Sequence, residues 1–202
     1  MTRRLVYGGA LIAFLAASAL TLASIIIPRW ISWDSETPSG AKIHYTYGLH
    51  RRCSSLTNAC EYFPHEEDCH GDRYFCSMWR SVGFLTSFTV VLEGMTLITY
   101  IVILVGGKQK RESGWKILAG LHLLCGAVEC AGMAIVAYLY ENDDRFFPGW
   151  KLDISWIFLT ISWSVMMLLG AGITGTALLL PSEEGYELIP GEDWRRVGDQ
   201  DD

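Results

Sequence analysis

Two carboxylates and an imidazole stand where charge is least welcome. Glu93 and Glu129 interrupt long apolar runs near their middles, and His122 precedes Glu129 in the same run. An ionised side chain at the centre of a bilayer costs at least about 2.5 kcal/mol, so intramembrane acids carry a functional expectation. One reading is a proton or cation path through Glu93 and Glu129. The other is a pair of protonated acids that fix helix register by bonding to hydroxyls such as Thr89, Thr96 and Ser162. His122, Cys125 and Glu129 fall at i, i+3 and i+7, one stripe of a helix. That stripe offers no fourth ligand, so neither a metal nor another cofactor is expected.

The cysteines carry the second chemistry. Cys125 and Cys130 lie inside an apolar run and face different sides of a helix, which makes no redox pair. Cys53, Cys60, Cys69 and Cys76 share one polar loop. An even set in an oxidising compartment forms disulfides. Four cysteines allow three pairings, and the local scheme, Cys53 with Cys60 and Cys69 with Cys76, closes two loops of equal spacing. His44, His50, His65 and His70 share that loop and make zinc the rival reading, but no C-x-x-C spacing supports it.

Four apolar runs position these groups: 7–27, 82–105, 117–140 and 154–180. About 20 helical residues cross a hydrocarbon core of ~30 Å. The expected fold is therefore all-α and membrane-embedded, a four-helix bundle, with Glu93 and Glu129 each roughly 17 Å in from opposite faces. Residues 1–180 form the transmembrane domain, and 181–202 form a disordered acidic tail. The first run is too long for the apolar part of a signal peptide, so it reads as a retained span. Arg3, Arg4, Lys108, Lys110, Arg111 and Lys116 flank the runs on one side, which predicts both termini in the cytoplasm and loops 28–81 and 141–153 outside.

Tryptophans mark the boundaries. Trp30, Trp33, Trp79, Trp115 and Trp150 sit at run ends, as expected of headgroup anchors. Gly170, Gly172 and Gly175 in the last run suit close helix approach, within the bundle or between copies. In the long loop, Lys42-Ile43-His44-Tyr45-Thr46-Tyr47 alternates like a half-buried strand. Residues 61–72, acidic and broken by Pro64 and Gly71, read as an exposed excursion. The formal charge of −6 excludes a basic nucleic-acid footprint. Tyr186-Glu187-Leu188-Ile189 fits the Y-x-x-Φ pattern that clathrin adaptors take up as an added strand, making Tyr186, Leu188 and Ile189 a candidate sorting signal.

Trp30, then Tyr47-Gly48-Leu49-His50-Arg51-Arg52-Cys53, then Cys60, then Arg80 at the mouth of the second run follow one order and spacing. Over Leu5 to Leu180 this resembles the claudin superfamily, which includes claudins, peripheral myelin protein, calcium-channel gamma subunits and fungal cortical membrane proteins. The chain looks closest to the divergent fungal members. His50 stands where that superfamily has the tryptophan of Gly-Leu-Trp, which helps seat the sheet on the membrane. Cys69 and Cys76 are additional, and the tail lacks the short apolar ending that docks to scaffold domains. The resemblance implies a small extracellular antiparallel sheet on a left-handed bundle. It also implies lateral assembly, adhesion or regulation of another membrane protein.

The expected function is thus a non-enzymatic tetraspan organiser at the plasma membrane, with an endosomal or vacuolar membrane as a further location. Its expected partners are lipid, other membrane proteins including further copies of itself, and a clathrin adaptor. The alternatives are an auxiliary subunit of a channel or receptor, and an oligomeric conductor of ions or protons through Glu93 and Glu129.

Overall fold

The computed structural model describes residues 2–37, 40, 42–65, 67–69, 73–106, 110 and 113–179. The tail 181–202, with Tyr186, Leu188 and Ile189, lies outside the described residues, as do His70, Lys108 and Arg111. Four helices are long and apolar enough to cross a membrane. They are α1 (Thr2–Ile26), α2 (Arg73–Val105), α3 (Trp115–Asn142) and α4 (Ile154–Leu179). Their outward faces are apolar: Ile12 is 71% exposed, Phe84 69%, Ile98 63% and Leu168 71%. A water-soluble domain rarely leaves so much contiguous apolar surface open, whereas hydrocarbon solvates it without cost.

Five strands form one antiparallel sheet: β1 (Ile31–Glu36), β2 (Lys42–Tyr47), β3 (Arg51–Ser54), β4 (Ala59–Tyr62) and β5 (Trp150–Leu152). Their order is β4-β3-β2-β1-β5. The first four strands come from the connection between α1 and α2, and β5 comes from the connection between α3 and α4. The alternating segment Lys42–Tyr47 is β2, as its pattern predicts, and pairs with β1 through Trp33↔Tyr45 and Ile31↔Tyr47. On the other side of β1, Trp33 faces Trp150.

Two expectations about the long connection are corrected. The second apolar run begins at 82, yet α2 begins nine residues earlier at Arg73. At 33 residues it is ~50 Å long, more than a bilayer core needs, so its first turns stand among the strands. There Phe75, Cys76 and Trp79 are buried under the sheet, and that tertiary burial extends the helix through Arg80 and Ser81. The stretch 61–72 is not wholly an exposed excursion. Its start completes β4, Phe63 is only 2% exposed, and Glu67–Cys69 forms a 3-10 turn.

The tryptophan assignment also changes. Trp30 and Trp79 are buried core residues, not headgroup anchors. The Trp30 indole donates to the Ser24 carbonyl (2.7 Å), and the Trp79 indole donates to the Leu49 carbonyl (3.3 Å). A sheet laid over the bundle end covers both rings, which their place at a run boundary does not reveal. They join Ile31, Leu49, Phe63 and Phe75 in one apolar cluster beneath the sheet. A second cluster, built on Phe14, Tyr100, Leu118, Met166 and Ile173, fills the opposite half of the bundle.

Gly48 explains how the sheet is seated. A Cβ there would lie 2.4 Å from Cα of Pro28, so only glycine lets the β2–β3 turn pass the end of α1. Trp30 N–H then donates to the Tyr47 carbonyl at 2.8 Å. Among the glycines of the last helix, Gly170 makes a tight crossing. A Cβ on it would meet the Leu123 side chain at 2.9 Å, whereas Gly172 and Gly175 have nothing within 4 Å. The close approach of α3 and α4 rests on Gly170, with Gly126 against Met167, and not on the whole glycine stripe.

Candidate functional site

Each helix places one polar group between the two apolar clusters. Thr21 of α1, Glu93 of α2, Glu129 of α3 and Ser162 of α4 are all buried, at 0%, 4%, 0% and 0% exposure. Along every helix the neighbours divide in the same way: Ala17, Tyr100, Cys125 and Met166 lie in one cluster, and Trp30, Val82, Met133 and Leu159 in the other. The result is a polar layer across the bundle, sandwiched between hydrocarbon-like packing.

The hydrogen bonds in the layer concentrate on one carboxyl. Thr21 Oγ1 donates to Glu129 Oε1 at 2.9 Å, and Ser162 Oγ reaches the same oxygen at 3.4 Å. The two hydroxyls also lie 2.8 Å apart, and Ser162 Oγ reaches the Ala17 carbonyl at 3.1 Å. Two hydroxyl hydrogens are thus shared among several acceptors. Ser18 Oγ, Glu93 Oε1 and Glu129 Oε2 are buried and have no hydrogen-bond partner among the described residues. Glu93 and Glu129 are electrostatic neighbours, and Ser18 and Thr21 face the Glu93 carboxyl.

Of the hydroxyls anticipated as partners for these acids, only Ser162 serves. Thr89 and Thr96 donate back to their own helix, to the carbonyls of Leu85 (3.1 Å) and Leu92 (2.8 Å). Thr21 takes up the role, with Ser18 facing the Glu93 carboxyl beside it, and neither was foreseen. Their signal was available, since Ser18, Thr21 and Ser24 recur at i, i+3 and i+6 in an otherwise apolar run.

Towards the end opposite the sheet, His122 and Tyr100 form a second polar contact. His122 Nδ1 lies 2.7 Å from the Leu118 carbonyl and must donate to it, which leaves Nε2 to accept from the Tyr100 hydroxyl at 3.2 Å. The ring of Phe14 packs on both, with centroids 5.5 Å from Tyr100 and 5.6 Å from His122. Cys125 is buried between this contact and Glu129, with Thr96 Oγ1 4.0 Å from its sulfur. The expected stripe of His122, Cys125 and Glu129 is therefore one continuous buried line. Cys130 is exposed on the outer face. Among the described residues no group of three or more His, Cys, Asp or Glu is placed to hold a metal ion.

The sheet carries the disulfides and the charges. Cys53–Cys60 joins directly opposed residues of β3 and β4, and Cys69–Cys76 ties the 3-10 turn to α2. Arg52 links the two stapled segments, bonding Glu61 (3.0 Å) and Asp68 (3.0 Å). Arg145, from the α3–α4 connection, donates to the Asp68 carbonyl at 2.8 Å and lies over the Phe75 ring. On the far edge Asp34 contacts both Lys151 (2.6 Å) and the His44 ring. The Lys151 ammonium, and then the His44 ring, hold the Asp34 carboxyl down at about 2, below its ordinary 3.8.

The motif residues gather at the seam between sheet and bundle. Leu49 is 2% exposed, and the His50 ring lies against Gly83 of α2, where a Cβ would be 3.4 Å from it. Arg80 is exposed on α2, beside Ser77, Ser81 and Phe84.

No family model and no curated protein matches the chain. What fold and site define is a class: a multi-pass membrane protein with four spans, contacting the lipid bilayer, and carrying a disulfide-stapled sheet in its first connection.

Proposed function

We propose that this chain is a claudin-like, non-enzymatic tetraspan organiser, acting by lateral assembly and adhesion at the cell surface. One observation carries the reading. The sheet draws strands from both connections and is keyed to the bundle end through Trp30, Leu49, Phe63 and Trp79. Such a platform presents a fixed recognition surface and not a mobile loop, which suits repeated contact with neighbouring proteins.

The charges on the flanks support an orientation with the sheet outside and both termini in the cytoplasm. An oxidising compartment on the sheet side also suits its two disulfides. The sequence Tyr186, Leu188 and Ile189 would then face the clathrin adaptors, which offers a route between the plasma membrane and endosomal or vacuolar membranes. Its free-standing edge, β4, is exposed along its whole length and is the natural place for a second copy or another membrane protein to pair.

The test is live-cell localisation of the chain tagged at its N-terminus, which leaves the tail free. Stable patches or enrichment at contact zones support the organiser. An even distribution over the surface rejects it. The runner-up, an auxiliary subunit, predicts instead one stoichiometric partner on purification in mild detergent.

A further inference from the structure

Where the spans meet the sheet, most cations are neutralised within the protein. Arg29, just past the end of α1, bonds Asp153, just before α4, at 3.0 Å, and Lys151 reaches Asp34 at 2.6 Å. Arg145 donates to the Asp68 carbonyl, while Arg52 of the sheet holds the Asp68 carboxylate. Arg80 of α2 differs. Its side chain is exposed and makes no ion pair or hydrogen bond among the described residues. It stands two residues before the apolar run of α2 begins at Val82, where a long cationic side chain reaches the lipid headgroups.

The surface at Arg80 is hollow. An open groove of about 490 Å³ is lined by Arg80, Ser77, Ser81, Phe84 and the Cys69–Cys76 disulfide. That disulfide fixes one wall, because it ties the 3-10 turn Glu67–Cys69 to the helix. Below Arg80 the same face of α2 is an apolar track. Phe84 is 69% exposed and Phe88 40%, and their rings lie parallel with centroids 6.1 Å apart. Val91 and Met95 continue the exposed stripe. From Arg80 to Val91 the helix descends about 17 Å, close to one leaflet's half of a ~30 Å hydrocarbon core.

A guanidinium matches phosphate through two parallel N–H···O bonds. A partner's carboxylate would also fit that fork, but it would make no use of an apolar track beneath. The combination calls for a phosphate joined to an acyl chain. We propose that Arg80, Ser77 and Phe84 form a phospholipid site in the leaflet on the sheet side. The Arg80 guanidinium holds the phosphate, the Ser77 hydroxyl borders it, and one acyl chain lies over Phe84 and Phe88. The lipid fills the angle between the stapled turn and α2, and so ties the first connection to the bilayer. The inference is independent of the organiser role.

The test is native mass spectrometry of the full chain released from mild detergent. Three probes are compared: dioleoylphosphatidylcholine, dioleoylglycerol, which has the chains without the phosphate, and glycerol phosphate, which has the phosphate without the chains. The expected result is one phospholipid adduct that survives activation strong enough to strip the rest. Dioleoylglycerol should be retained roughly tenfold less, and glycerol phosphate not at all. Arg80→Gln should lose the phospholipid by a similar factor, Arg80→Lys should lose less, and Phe84→Ala should also weaken it. Arg51→Gln, which removes an exposed cation of β3, should leave it unchanged. A ladder of adducts with no preferred number, the same in the wild type and Arg80→Gln, means annular lipid only and overturns the proposal. Equal retention of dioleoylglycerol overturns it too, and needs no variant to fold. So does a glycerol phosphate adduct that depends on Arg80, which would make the ligand a soluble phosphate. A dimer that replaces the lipid adduct and depends on Arg80 would assign the groove to a second copy instead.

Discussion

Two regions near the C-terminal end of α1 teach different lessons about stability. Just beyond that end, Trp30 lies in an apolar cluster with Phe63, Phe75 and Trp79, in which Phe63 stands 5.4 Å from Trp79 and Phe75 stacks on Trp79 at 5.6 Å. Nine residues earlier, the Thr21 layer is polar, with hydroxyls and a carboxyl sharing few hydrogens. The first region gains from area and shape and tolerates no cavity. The second gains little net energy, because few hydrogens are shared among several acceptors around a buried carboxyl. Disulfides also fall on one side of this division, at the sheet, where the chain leaves hydrocarbon and must hold its shape against water.

The contrast can be broken most forcefully at Trp30. Trp30→Ala should cost about 3–5 kcal/mol, since a large ring that is fully buried leaves a cavity beneath the sheet. Thermal unfolding in detergent measures it, and a loss below about 1 kcal/mol would mean that the aromatic cluster is not the seat of the sheet. Next is Cys53→Ser, with an expected loss of about 2–4 kcal/mol. Cys60→Ser should match it, and the double variant should add little because the two residues make one bond. Additive losses in the same unfolding experiment would refute that.

At the polar layer the effects are smaller. Thr21→Val keeps the shape but strips Glu129 of its nearest donor, and should cost about 1–3 kcal/mol. If Thr21→Val equals Trp30→Ala, the two regions are not energetically distinct. The smallest effect lies on the exposed sheet edge. Because the folded-state pKa of Asp34 is held at about 2 against an ordinary 3.8, its contribution is present above the ordinary value and lost as pH falls through about 2. Asp34 is open to solvent, so salt screens the contribution and Asp34→Asn should remove only a shallow acid limb from the stability profile. A steep limb that survives in Asp34→Asn would place the acid sensitivity elsewhere.

The four spans, the sheet strand Lys42–Tyr47 and the buried position of Glu93 and Glu129 were legible in the sequence, because each rests on a local pattern of one period in one segment. Run length against bilayer thickness needs no partner, and neither does alternation along a strand. The pairing of cysteines was narrowed to a local scheme by spacing and completed when β3 and β4 placed Cys53 opposite Cys60. What depended on contact between distant segments could be decided only in three dimensions. Trp30 and Trp79 look like interface anchors until a sheet covers them, and α2 gains its first nine residues only because Phe75, Cys76 and Trp79 find that cover. β5, three residues long, has no pattern to read and exists because β1 offers it an edge. The partners of Glu129 followed the same rule. Thr21 lies 108 residues away in the chain, and only the packing of α1 against α3 and α4 brings its hydroxyl within 2.9 Å of the carboxyl.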